Sequence, residues 1–266
     1  MSDIEFAEGD RAAGESFKQL AAAADEFEAY ANPHASRIAR IADALAARFR
    51  LSRADRTSVV FAALLHDVGE MTMQRDYIRR AGPLGDAERA DLQRHPVIGE
   101  QEAARAGADR AVQLLVRWHQ EWWDGSGYPD ALRGEQIPLG ARILRVADAY
   151  AALTDARPFR PAGTEAEARK HLTLWAGLEF DPRVVSALLS LEPSPELRAY
   201  ARAPQREAEA QTTEPANAGA PGEAPTVEVP NAEAPGGETP AAQREEVAQV
   251  APAGASEPEN PWNPKR

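Results

Sequence analysis

The sequence predicts an all-α domain followed by a disordered tail, on three observations. Between about residues 16 and 200, apolar side chains recur at helical spacing. No segment sustains the period-two alternation of a half-buried strand. From about residue 203 the composition shifts to Pro, Ala, Glu and Gly with almost no large apolar residues, and such a segment cannot bury enough surface to offset the entropy of ordering. The chain therefore divides into an alanine-rich extension of helical character over 1–25, a helical domain over 26–202 and a tail over 203–266.

Each element has a local reason. Ile38, Ile41, Ala42, Leu45 and Phe49 form one helical stripe, and His34 falls in line with it, facing inward. Ser52, with Asp55 three positions later, makes a capping-box-like start for a helix through VVFAALLHD. His66 and Asp67 end that apolar run just before Gly69. Pro96 suits the first turn of a helix that ends near Gly107. Asp109 can cap the next one, RAVQLLVRWHQ, in which His119 follows Val112, Leu115 and Val116 on the apolar face. A further helix runs from about Pro138 to Thr154 and carries Asp148 among Leu144, Ala151 and Ala152.

The composition excludes several classes. The 266 residues carry a formal net charge of −12, which argues against binding a nucleic-acid polymer, since that relies on Lys and Arg neutralising phosphates. About half of that negative charge and half of the prolines lie in the tail. There is no cysteine, so disulfides and thiolate metal sites are ruled out and any metal must be held by imidazole and carboxylate. No run of 18 apolar residues offers a membrane span. The opening MSDIEFAEGD lacks the order of a secretory signal, so the expectation is a cytoplasmic protein.

Four of the five histidines, His34, His66, His95 and His119, fall at inward-facing or helix-terminal positions, whereas His171 does not stand out. A single histidine on an apolar face is usually a hydrogen-bonded core residue. Asp148 alone could be a buried acid satisfied by Arg142 or Arg145. Four imidazoles with nearby carboxylates are harder to dismiss, because their convergence is what a multi-metal hydrolytic site requires.

The motifs LLHDVGE at 64–70, HPVIG at 95–99 and HQEWWDGSGYP at 119–129, with LRGEQIPLGARILRVADAYAALTDARPFR at 132–160 and FDPRVV at 180–185, resemble the HD-GYP domain, the bacterial branch of the HD phosphohydrolase superfamily. The similarity covers about residues 30 to 190. It implies an HD-type helical bundle and a metal-dependent cyclic dinucleotide phosphodiesterase of bacterial signalling. By this resemblance His34, His66, Asp67 and Asp148 hold one metal, and Asp67 bridges to a second held by His95 and His119, with His66 and Asp67 at the catalytic centre. The ions implied are iron or manganese. Tyr30 and Gln120 stand where some members have ligands for a third metal, so two ions are expected.

The resemblance further implies hydrolysis of cyclic di-GMP to pGpG, and in some members to GMP, by a hydroxide bridging the two metals, with Tyr128, Arg157 and Arg160 meeting the ligand. Glu121 could orient a neighbouring metal ligand. Asp124 opens a Gly-Ser-Gly turn that lets backbone pass close to a ligand. One departure stands out: the family has lysine where this chain has Glu70, and a carboxylate there repels an anionic substrate unless it is protonated, turned away or paired, for example with Arg75. Two other readings follow, a cyclic di-GMP-binding signalling module with little turnover, and an HD phosphohydrolase of another nucleotide. Protein partners would engage the extension or the tail, and no membrane is expected.

Overall fold

The computed structural model describes Phe6 and residues 8–156, 160–192 and 194–198. Arg157 and the expected tail lie outside the described residues. Among the described residues the chain is helical, with isolated bridge residues such as the Ala176–Phe180 pair and no strand. No helix there is long and apolar enough to cross a membrane.

The described residues form ten α-helices in order: α1 (Arg11–Phe27), α2 (His34–Arg48), α3 (Arg53–Leu65), α4 (Val68–Met73), α5 (Asp86–Leu92), α6 (His95–Arg105), α7 (Arg110–Trp118), α8 (Leu139–Thr154), α9 (Glu165–Leu174) and α10 (Pro182–Leu189). The centre of the bundle is α2, whose Ile38, Ile41 and Leu45 are fully enclosed. It packs against α3 and α8, while α6 packs against both α4 and α7.

The predicted caps are present. Ser52 Oγ accepts from Asp55 N at 3.1 Å and the Asp109 carboxylate accepts from Val112 N at 2.9 Å. The amino end of α2 is satisfied differently. Pro33 precedes it and offers no side-chain cap, and Asp25 from α1 accepts from Ala35 N at 3.1 Å. Helix α1 runs unbroken through residue 25 and buries Phe17, Ala21 and Ala24. The Phe17 ring meets Phe61 edge-on at 5.0 Å. The amino-terminal segment thus packs on the bundle and also completes the start of the helix that carries His34.

Gly69 explains the approach of α4 to α6. A Cβ at that position would stand 2.1 Å from the carbonyl oxygen of His95 and 2.8 Å from Gly99 N, which no side chain tolerates. This contact brings the His66-Asp67 corner against the start of α6.

Candidate metal centre

Four helix ends and one helix middle supply the site. His66 and Asp67 follow the last turn of α3, His95 opens α6, His119 follows α7, His34 opens α2 and Asp148 projects from α8. The four histidines are at most 3% exposed and Asp67 is 4% exposed. Asp148 is partly exposed, so the cluster meets solvent on its side.

The side chains fall into two groups. His34, His66 and Asp148 bring one ligand atom each to within 4.8 Å of one another, and Asp67, His95 and His119 do the same. Asp67 stands between them. Its Oδ2 lies 3.1 Å from His66 Nε2, and its Oδ1 lies 3.4 Å from His95 Nε2 and 3.5 Å from His119 Nε2. The Nε2 atoms of His95 and His119 are 3.2 Å apart.

The outer nitrogens fix which edge of each ring faces inward. In His66, His95 and His119 the Nδ1–H donates to the carbonyl three residues back, Ala63, Leu92 and Val116, at 3.0, 2.8 and 2.7 Å. His34 is held otherwise, with Nδ1–H donating to Asp155 Oδ2 at 2.9 Å, while Asp155 Oδ1 accepts from Arg37 Nη1 at 2.7 Å. Tyr30 stacks on the His34 ring, centroids 3.7 Å apart. Every Nε2 is therefore the inward atom, the tautomer that a metal-binding imidazole uses.

The residues fit divalent ions. The buried Nε2 atoms of His34 and His66 lie 3.7 and 3.1 Å from the Asp148 and Asp67 carboxylates without forming an aligned hydrogen bond, an arrangement that costs free energy unless another group meets them. The donors are imidazole nitrogens and carboxylate oxygens, the set that suits iron, manganese or zinc. Electrostatics point the same way. Burial alone would lower the His66 pKa, but Asp67, Asp148 and Glu28 push it up to about 10. Burial would raise Asp148, and the neighbouring His34, His66 and Arg145 hold it well below the usual carboxylate range. In His119 burial prevails over the contact with Asp67 and lowers the pKa. A cluster in which an imidazole keeps its proton only because acids surround it is suited to exchanging that proton for a cation.

Glu70 is fully buried and Glu28 is 2% exposed, and together with Asp67 they form a third convergence of ligand atoms within 4.8 Å. Glu70 Oε1 lies 3.8 Å from His95 Nδ1. Arg75, weighed above as its partner, instead donates from Nε to Asp91 Oδ2 at 2.8 Å on the surface.

The loop after His119 is braced by its own polar groups. The Glu121 carboxylate accepts from the backbone N–H of Asp130 at 2.7 Å and of Leu132 at 2.9 Å. Burial raises its pKa against those donors. Asp124 Oδ1 accepts from Ser126 N and Oγ, and Gln120 is buried. A Cβ on Gly127 would be 2.2 Å from Trp122 N, so this glycine lets the loop fold on itself. Tyr128 meets His95 edge-on, centroids 6.1 Å apart, and its peptide to Pro129 is cis. Arg160 donates to the Ala152 carbonyl. His171, the fifth histidine, packs beside Trp175 and Phe180 and belongs to neither ligand group.

The structure thus gathers His34, His66, Asp67, His95, His119 and Asp148, with Tyr128 next to them. Sequence reasoning missed Asp155, Glu28 and Asp25. Asp155 is 121 residues from His34, and nothing local to either marks the contact.

The chain is similar to the cyclic di-GMP phosphodiesterase response regulator RpfG of Xanthomonas campestris pv. campestris, with 37% identity over 178 residues, 66% of this chain and 47% of that protein. It is also similar to the 3'3'-cGAMP-specific phosphodiesterase 2 of Vibrio cholerae serotype O1, with 32% identity over 159 residues, 59% of this chain and 30% of that protein. The chain thus spans less than half the length of these relatives. Among solved structures, a cyclic GMP-AMP specific phosphodiesterase of V. cholerae superposes with a TM-score of 0.53 at 19% identity, covering 68% of this chain and 49% of that one, a likeness of fold. The family described as HD domain matches residues 18–184. With its His66-Asp67 pair at the centre of two ligand groups inside a helical bundle, the chain belongs to the HD domain family.

Proposed function

We propose that this chain is a metal-dependent phosphodiesterase that hydrolyses cyclic di-GMP to pGpG. One observation carries the reading, the two ligand groups with Asp67 standing between them. His34, His66, Asp67 and Asp148 would hold one divalent ion, and Asp67, His95 and His119 a second. Such ions would supply a water of lowered pKa and positive charge to offset the negative charge developing on a phosphoryl group. Iron and manganese suit the donor set.

The chain's own residues do the rest. Asp67 fixes the spacing of the two groups with its two oxygens. The Nδ1 anchors hold the four rings in place before any ligand arrives, so little reorganisation is needed. Tyr128 presents a ring and a hydroxyl beside His95 for a base or phosphate. Arg157 and Arg160 are the basic residues proposed to meet the phosphates, a task that suits guanidinium geometry. The substrate class is supported by the relatives, whose names specify cyclic di-GMP or 3'3'-cGAMP.

A second reading, binding with little turnover, draws on Glu70, whose carboxylate is buried with Glu28 and Asp67 and adds negative charge beside the ligand groups. One experiment separates the two. The protein is purified without chelator, its metal content measured, and cyclic di-GMP followed by chromatography with manganese or ferrous iron. Metal with pGpG supports the phosphodiesterase, whereas metal and bound but intact cyclic di-GMP supports the binding module. A protein that takes up no metal overturns the proposal.

A further inference from the structure

Arg145 lies three residues before Asp148 on α8, on the same face of the helix. Its side chain is 11% exposed and is engaged on both arms. Nη2 donates to Glu179, which is 4% exposed, and Nη1 lies 3.4 Å from Asp148 Oδ2. The two oxygens of Asp148 are thus divided, since Oδ1 lies 3.7 Å from His34 Nε2. One oxygen is directed to the ligand group and the other to the guanidinium. Glu179 is itself fixed, because its carbonyl accepts from Trp123 N at 3.2 Å and the neighbouring Leu178 carbonyl accepts from Asp124 N at 2.9 Å. Arg142 plays no part here; its Nη1 donates to Asp181 Oδ2 at 2.6 Å.

We infer that Arg145 is a positioning residue for the metal centre: anchored by Glu179, it holds Asp148 so that one carboxylate oxygen faces His34 and His66. The inference rests on the reading that this cluster holds metal. It assigns Arg145 and Glu179 a role at the His34–His66–Asp148 group and none at the Asp67–His95–His119 group, which neither residue touches in the contacts described.

Charge alone predicts the opposite effect from positioning. Removing a cation next to a carboxylate should tighten binding of another cation. Losing the group that orients a ligand should weaken metal binding by about 10–100-fold. The test is a manganese titration of the full chain with free and bound ion measured directly, on wild type, Arg145→Gln, Arg145→Lys and Glu179→Gln, with folding checked by circular dichroism.

The expected result is a loss confined to one of two sites in Arg145→Gln, partial recovery in Arg145→Lys, and a smaller loss at the same site in Glu179→Gln. Binding by Arg145→Gln equal to or tighter than wild type overturns the inference and leaves the metal reading intact. If Arg145→Gln does not fold, wild-type binding by Glu179→Gln has the same force. A wild type that binds no manganese or iron removes the proposed function and this inference together.

Discussion

Replacing Asp155 by Asn tests whether the His34 anchor matters to the fold as well as to the ligand group. The Asp155 carboxylate is 1% exposed and lies between His34 Nδ1 at 2.9 Å and Arg37 Nη1 at 2.7 Å. Arg37 is fully buried, so the substitution removes a carboxylate charge from beside an enclosed guanidinium. Breaking one side of a buried pair typically costs 3–5 kcal/mol. Asn retains a neutral acceptor, and Arg37 keeps Thr154 Oγ1 and the Arg198 carbonyl, each at 2.8 Å, so a loss of about 3 kcal/mol is expected here. For a folded region of this size that lowers Tm by about 6–12 °C. Thermal melts by circular dichroism at neutral pH, without added metal, read the shift. The amide also offers His34 Nδ1 either a donor or an acceptor, which weakens its tautomer preference and lowers metal affinity by about 10-fold or more. A variant melting within about 2 °C of wild type would refute the reasoning, because the pair would then add no more than a surface contact.

Three further outcomes are expected. His66→Ala or Asp67→Ala removes metal binding and hydrolysis together, read by elemental analysis and chromatography, and full turnover in either variant would exclude these residues as ligands. Glu70→Lys raises the rate of cyclic di-GMP hydrolysis by roughly 10-fold or more, by exchanging repulsion for a charged contact in the transition state; a lower rate at equal metal content would show that the glutamate has a task of its own. His171 is 8% exposed, and burial, with Arg145 nearby, lowers its pKa to about 4 from 6.5. The unfolded chain therefore takes up the proton first, and stability present above about pH 6.5 is lost as pH falls towards 4, by about 2 kcal/mol after solvent screening. Denaturation of His171→Phe at pH 7 and pH 5 should show a smaller pH dependence than wild type, and an unchanged difference would assign the acid sensitivity to other groups.

What was legible in the sequence was local or periodic. Ser52 and Asp109 cap their helices as their types and spacing suggest. The four inward histidines and two aspartates meet because each sits at a helix end or on an apolar face, and both features survive into the fold. The choice between Arg142 and Arg145 as partner of Asp148 needed coordinates. An offset of three residues keeps Arg145 on the face of Asp148, while Arg142 is drawn to Asp181, 39 residues on. Asp155, Glu28 and Glu179 act through contacts between distant segments, and a carboxylate carries no mark in the sequence of what it will meet. The Gly-Ser-Gly turn after Asp124 is expected from its residue types to allow close backbone approach, and the identity of one approaching atom, Trp122 N against Gly127, needed coordinates.

The gathering of ligands from separate helices makes the site a reporter of chain closure. Asp148 lies more than a hundred residues beyond His34, and the outer anchor of that histidine spans 121 residues. No fragment lacking either end of the domain can assemble the first ligand group, and each such closure costs entropy before any contact repays it. Metal uptake should thus come late in folding and select completed molecules. An ion at 100 times its dissociation constant would add about 2.7 kcal/mol to the folded state alone. On the proposed function, supply of the metal would then govern how much of this protein persists as well as how fast it works.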